Sequence, residues 1–100
     1  MIEVRRTDVF SRWIDQLPDD QAIARVLARI YRLSLGNFGD VKSVGEGVSE
    51  LRIDYGPGYR VYLARIGLQI VLLLAGGTKK TQQKDIDRAK AMAKEIDNGS

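Results

Sequence analysis

Residues 48–82 read VSELRIDYGPGYRVYLARIGLQIVLLLAGGTKKTQ, and this stretch decides the fold. Apolar and polar side chains alternate over 48–55, as they do in a strand with one buried face. Gly-Pro-Gly at 56–58 is a strong turn signal, and the alternation resumes over 59–65. The pattern predicts two antiparallel strands joined by a tight turn.

A third strand follows at residues 68–75, which are apolar apart from Gln69. A continuous apolar run of this length is typical of a central strand buried on both faces. The glycine pair at 76–77 is expected to end the strand. Thr78 or Thr81 is then placed to cap a last helix, whose apolar stripe is thin.

The N-terminal half predicts one short strand and two helices. Residues 2–5 alternate like a strand, and Thr7 is a good N-cap for a first amphipathic helix. Pro-Asp-Asp at 18–20 interrupts the helical spacing and supplies a second N-cap, and Gly36 is expected to end the second helix. Residues 40–44 then predict a short polar strand.

The predicted order is therefore β-α-α-β-β-β-β-α. Strands joined by tight turns imply an antiparallel meander, and a helical hairpin is expected to cover one face, giving a two-layer α+β domain. One hundred residues are enough for a single domain spanning positions 1–100.

The composition excludes several kinds of chemistry. The chain has no cysteine and no histidine, so it cannot use a thiolate zinc site, a thiol nucleophile or a Ser-His-Asp triad. The sequence indicates no metal site and no cofactor. The longest apolar run, 70–75, is far too short for a bilayer, and the N-terminus lacks a secretory signal, so we expect a cytoplasmic protein without membrane contact.

Four cations are candidates for holding a phosphate. Arg52 and Arg60 flank the Gly-Pro-Gly turn on neighbouring strands, each opposite its strand's clearest apolar set. Lys79 and Lys80 follow the next strand and are expected at the rim of the same side. Arginine binds phosphate oxygens in a two-pronged fork, and four such cations suit an RNA backbone or a phosphoryl transition state. The alternative is a solvated sheet face on which Glu50 and Asp54 pair with Arg52.

Two further groups are candidates for RNA contact. Arg25, Arg29 and Arg32 form a basic stripe on the second helix, which either follows a phosphate backbone or is only a solvated helix face. Tyr62 shares a strand face with Arg60 and is the tyrosine most suited to stacking on a base.

The segments GVSELRIDYGPGYRVYL, IVLLLAGGTKKTQ and DIDRAKAMAKEI resemble the addiction-module killer proteins, the HigB-like toxins of the RelE/ParE superfamily. The resemblance covers nearly the whole chain. It implies a curved, mainly antiparallel sheet of four or five strands, with an N-terminal strand, a helical hairpin and a C-terminal helix. It also implies a type II toxin that cleaves mRNA at the ribosome and is neutralised by a helix-turn-helix antitoxin.

The same resemblance assigns roles to individual residues. Arg52, Arg60 and Lys79 or Lys80 match positions that hold the scissile phosphate and the leaving group, and Gln82 belongs to the RNA-binding G-G-x-K-x-T-Q segment. The implied reaction needs no metal: an RNA 2′-hydroxyl attacks the adjacent phosphate, leaving a cyclic phosphate and a free 5′-hydroxyl.

The chain departs from its relatives at the general base. Many HigB-like proteins use histidine and RelE-type proteins use a C-terminal tyrosine, but this chain has no histidine and no tyrosine after Tyr62. Glu50, Asp54, a lysine of lowered pKa or a ribosomal group remain candidates. The departures favour two alternatives: a ParE-like poison of DNA gyrase that acts by binding, and a non-catalytic RNA-binding module.

Overall fold

The computed structural model describes residues 1–99, with the side chains of residues 1–96, and confirms the predicted order of elements. The elements are β1 (Glu3–Arg6), α1 (Asp8–Asp15), α2 (Asp20–Ser34), β2 (Val41–Gly45), β3 (Val48–Ile53), β4 (Tyr59–Ile66), β5 (Ile70–Thr78), the 3₁₀ turn η1 (Lys79–Thr81) and α3 (Gln82–Gly99).

Side-chain caps define where the first two helices begin. Thr7 Oγ1 accepts a hydrogen bond from the backbone N–H of Phe10 at 3.1 Å, and Asp19 Oδ1 accepts one from Gln21 N at 2.9 Å. Both caps satisfy N–H groups that have no partner within their own helix. After α2, Gly36 has a φ of +91°, the left-handed conformation that ends many helices and favours glycine.

The strands form one mainly antiparallel sheet in the order β1-β5-β4-β3-β2. The last four strands are an antiparallel meander, as predicted, whereas β1 pairs in parallel with β5. This topology confirms the α+β class. Strand β3 is shorter than predicted: it ends at Ile53, because the carbonyl groups of Ile53 and Tyr55 accept turn hydrogen bonds.

Both faces of the sheet are covered, so the prediction of two layers was wrong. Helices α1 and α2 pack on the first face, where Leu51 and Val61 join a core with Phe10 and Val26. Helix α3 packs on the second face through Ala89 and neighbouring apolar side chains, against a smaller core of Val48, Tyr62 and Leu74.

Strand β5 runs through its two glycines instead of ending before them, which corrects the sequence prediction. A Cβ at Gly76 would lie 2.2 Å from the Trp13 ring, and a Cβ at Gly77 would lie 1.8 Å from Asp85 Oδ2. The glycines therefore let α1 and α3 approach opposite faces of the same strand closely. Close backbone approach is one of the recognised uses of glycine in a strand.

A bulge in β5 sets which residues reach the second face. Leu63 pairs with Leu73, but the preceding residue, Tyr62, pairs with Ala75, so β5 carries one extra residue between them. Because side chains alternate along a strand, this extra residue brings Ala75 and Gly77 to the side of α3.

Candidate functional site

Two arginines lie side by side on the second face of the sheet. Arg52 of β3 pairs directly with Arg60 of β4, and Arg60 pairs in turn with Gly77 of β5. We call these three residues the arginine row. Like charges directly opposite each other in a sheet are destabilising, so the row needs compensating negative charge. The sequence prediction that Arg52 and Arg60 share a face is confirmed.

The compensating charge is Glu50, which is fully buried. Its Oε1 accepts a hydrogen bond from Arg52 Nε at 3.0 Å. Its Oε2 accepts hydrogen bonds from the Tyr62 hydroxyl at 3.1 Å and from Gln82 Nε2 at 2.7 Å. We call Glu50, Arg52, Tyr62 and Gln82 the Glu50 network. It joins β3, β4 and the first residue of α3. The alternative prediction was right that Glu50 pairs with Arg52, but wrong that this pair lies on a solvated face, because Glu50 is buried.

Opposing effects act on the pKa of Glu50. Burial raises it, but hydrogen bonds from Arg52, Gln82 and Tyr62, with the nearby charge of Arg60, lower the pKa below its ordinary value of 4.5. Burial raises the pKa of Tyr62, and the Glu50 carboxylate raises it further. At neutral pH the carboxylate is therefore ionised and the phenol is a hydrogen-bond donor.

We expect replacement of Glu50 by glutamine to change how stability depends on pH. A depressed pKa in the folded state adds stability that is fully present above the ordinary value of 4.5, and this stability is lost as pH falls through the folded pKa. The free energy of unfolding can be measured with urea from neutral pH down to acid. Below the ordinary pKa of a glutamate carboxyl, wild type should lose stability more steeply with falling pH than Glu50→Gln. Parallel curves would contradict a lowered pKa of Glu50 in the folded protein.

Arg60 lacks the protein partners that hold Arg52. Its Nε is buried and has no hydrogen-bond partner among the described residues. No ion pair among the residues that the structure describes includes Arg60. A buried donor without an acceptor costs about 1–3 kcal/mol. The terminal nitrogens of Arg60 are not buried, so an anionic ligand can pair with its charge from the solvent side.

The 3₁₀ turn lies at the end of β5, beside the arginine row. Its two lysines, Lys79 and Lys80, are exposed, and the backbone N–H of Lys79 donates to Gly58 O at 2.8 Å. Thr81 donates to the carboxylate of Asp85, which anchors the start of α3. The turn therefore has a fixed position next to the row. No group of acidic side chains that could hold a metal is found in the part of the chain described.

The predicted basic stripe lies elsewhere, because α2 packs on the first face. The Arg25 guanidinium stacks 4.4 Å from the centre of the Tyr55 ring. Arg29 donates to the carbonyl groups of Arg52, Phe38 and Asp40, so it ties α2 to the edge of the sheet. Arg32 is exposed near the end of the helix. The structure does not bring these three side chains together with the arginine row.

Tyr62 and Glu50 differ most from their predicted roles. Tyr62 shares a face with Arg60, as predicted, but its ring is fully buried and offers no surface on which a base could stack. Glu50 was a candidate general base, yet both its oxygens are occupied and inaccessible. Asp54 and the two lysines of the 3₁₀ turn are exposed.

Sequence reasoning missed the buried residues that hold the arginine row in place. The burial of Glu50 and the contact of Gly77 with Asp85 depend on α3 docking on the second face. The sequence did contain one signal. The glycine pair directly follows a strongly apolar strand, with no turn residue before it, and glycine inside a strand often indicates that another element packs closely on the backbone.

The sequence also matches a known protein family, and this match does not depend on the geometry of the site. Residues 12–95 match the family described as phage-derived protein Gp49-like (DUF891). The chain belongs to this family. Gp49-like proteins are associated with toxin–antitoxin systems, which agrees with the resemblance seen in the sequence and implies an antitoxin partner.

Similarity to a bacterial relative extends over almost the whole chain. A protein of Haemophilus influenzae (strain Rd), described as uncharacterized, is 50% identical over 95 residues. The aligned part covers 95% of this chain and 96% of the relative. Among the described residues, no helix has the length and apolar character needed to cross a membrane.

Proposed function

We propose that this protein is a HigB-like toxin of a type II toxin–antitoxin system that cleaves mRNA on the ribosome in the cytoplasm. In this proposal a helix-turn-helix antitoxin neutralises it. The observation that carries the proposal is Arg60, a guanidinium held on a rigid strand beside Arg52 with a buried donor and no protein acceptor. The terminal nitrogens of this guanidinium are not buried, so a phosphate diester of RNA can bind them and neutralise the pair of like charges.

The arginine row suits a reaction in which negative charge builds on phosphorus. The RNA 2′-hydroxyl loses its proton and its oxygen bonds to the adjacent phosphorus, while the bond from phosphorus to the 5′-oxygen breaks. The products are a 2′,3′-cyclic phosphate and a 5′-hydroxyl, which gains a proton. Arg52 and Arg60 hold the non-bridging oxygens, and Lys79 or Lys80 stabilises the departing oxygen. The proton acceptor lies outside the Glu50 network, whose carboxylate is occupied.

Poisoning of DNA gyrase is the second candidate. It is favoured by the absence of any histidine and of a tyrosine after Tyr62, the residues that related nucleases use as acid or base. A phosphate-binding arginine row would serve in that case to contact DNA without cutting it.

Induction of the protein in cells lacking an antitoxin separates the two candidates. We expect protein synthesis to stop first, with mRNA fragments bearing 5′-hydroxyl ends and chromosomal DNA intact. Arg52→Ala should abolish these fragments, whereas Arg88→Ala, a change at an exposed cation of α3, should preserve them. DNA breaks with intact mRNA would overturn the nuclease proposal in favour of gyrase.

A further inference from the structure

We propose that Glu50 is the positioning residue of the site and that, through Gln82, it gives the site a preference for RNA over DNA. The inference rests on the proposed function. Glu50 does not contact the substrate. Instead, its buried carboxylate fixes the Arg52 guanidinium and sets which end of the Gln82 amide faces outward.

The first part of the inference concerns Arg52. Its Nε is bound inward to Glu50, and 32% of its side chain is exposed. Its two terminal nitrogens have no protein hydrogen bond among the described residues and are not buried. A guanidinium bound by Nε alone leaves its terminal nitrogens free for two phosphate oxygens. Glu50 therefore aims the part of Arg52 that a phosphate diester needs.

The second part concerns Gln82. An ionised carboxylate only accepts hydrogen bonds, so the Gln82 amide must direct its nitrogen, not its oxygen, toward Glu50. The amide oxygen is left without a donor among the described residues and is not buried. It is an acceptor next to a group of cationic donors. The RNA group that matches it is the 2′-hydroxyl, a donor that DNA lacks.

The burial of Glu50 makes this arrangement rigid. The carboxylate is fully buried and bound by three side chains, so water does not compete for its oxygens. The Tyr62 hydroxyl and Gln82 Nε2 both donate to Glu50 Oε2, so this second oxygen is also held in place. Misplacement of catalytic groups by about 1 Å costs on the order of 100-fold in rate, so a fixed carboxylate matters although it is remote from the phosphate.

Glu50→Gln tests the inference, with Glu46→Gln as the matched control at an exposed hairpin position. Cleavage of ribosome-bound mRNA should show kcat of Glu50→Gln reduced about 100-fold with KM little changed. The NMR signal of the Arg52 side-chain Nε–H should shift and exchange faster with water. The control should match wild type in both measurements. A wild-type kcat, or a lost kcat with an unchanged Arg52 signal, would overturn the positioning role.

Gln82→Met gives a second test at the start of α3, where the side chain is only partly buried. It should lower kcat about tenfold, as for one lost hydrogen bond, and leave the Arg52 signal in place. It should also weaken the preference for an RNA oligonucleotide over its DNA equivalent in a binding assay. An unchanged preference would overturn the role of Gln82. If wild type leaves mRNA intact, the proposed function fails, while the Arg52 signal in Glu50→Gln still decides whether Glu50 fixes Arg52.

Discussion

Arg60→Met is expected to reduce mRNA cleavage at least about 100-fold, the typical loss for one transition-state donor, without destabilising the fold. Few active-site changes in this protein should separate activity from stability so clearly. The reason is that Arg60 has no hydrogen bond or ion pair among the described side chains, and its charge acts within the fold only through its attraction to Glu50.

Two features of the structure make Arg60 costly for folding. Its charge lies directly opposite that of Arg52, and its Nε is buried without an acceptor in the described part of the chain. A buried unsatisfied donor costs about 1–3 kcal/mol, and like charges opposite each other add to this. Methionine keeps a long flexible stem and removes both penalties. The lost attraction between Arg60 and Glu50 offsets part of this gain, so the free energy of unfolding should stay within about 1 kcal/mol of wild type.

The measurements are urea unfolding and cleavage of ribosome-bound mRNA. Arg65→Met is the matched control, because Arg65 lies on the same strand but stacks 4.3 Å from the centre of the Phe38 ring. The control should keep its activity and lose up to about 1 kcal/mol of stability with its cation–π contact. Retained cleavage by Arg60→Met, or a loss of stability above that of the control, would contradict the role given to Arg60.

Gly77→Ala is expected to have the largest effect on the architecture of the site. The new Cβ would lie 1.8 Å from Asp85 Oδ2 and 2.7 Å from Asp85 Cγ. Strand β5 cannot move away, because it is paired on one side with β1 and on the other with β4. The start of α3 must shift instead, which should cost about 1–3 kcal/mol as overpacking and draw Gln82 away from Glu50.

A double-mutant cycle checks this explanation. If the clash with Asp85 is the cause, Gly77→Ala should cost less in an Asp85→Ala background than in wild type, by more than about 0.5 kcal/mol. Thermal and urea unfolding give the energies, and mRNA cleavage should fall together with stability in the single variant. Additive losses would show that the close approach of Asp85 to Gly77 is not what limits this position.

Short-range patterns predicted most of the fold. The alternation of β3 and β4 placed Arg52 and Arg60 on one face, and the caps at Thr7 and Asp19 marked where α1 and α2 begin. These features depend on neighbours along the chain or on a single tight turn. A sequence contains that information directly.

The parts that sequence reasoning missed depend on contacts between distant elements. Glu50 looked like a surface residue because its strand face is polar, yet α3 covers that face and buries the carboxylate. The glycine pair looked like a strand end because its partners, Trp13 and Asp85, come from opposite ends of the chain. Burial of a charge is set by tertiary packing, which local periodicity does not report.

The end chemistry of mRNA fragments in a translation reaction with purified ribosomes tests the central claim most directly. We expect wild type to produce fragments with 2′,3′-cyclic phosphate and 5′-hydroxyl ends, and Arg60→Met, folded to the same extent, to produce none. Intact mRNA with the wild-type protein, or equal cleavage by Arg60→Met, would contradict the claim that the arginine row holds the phosphate that is cut.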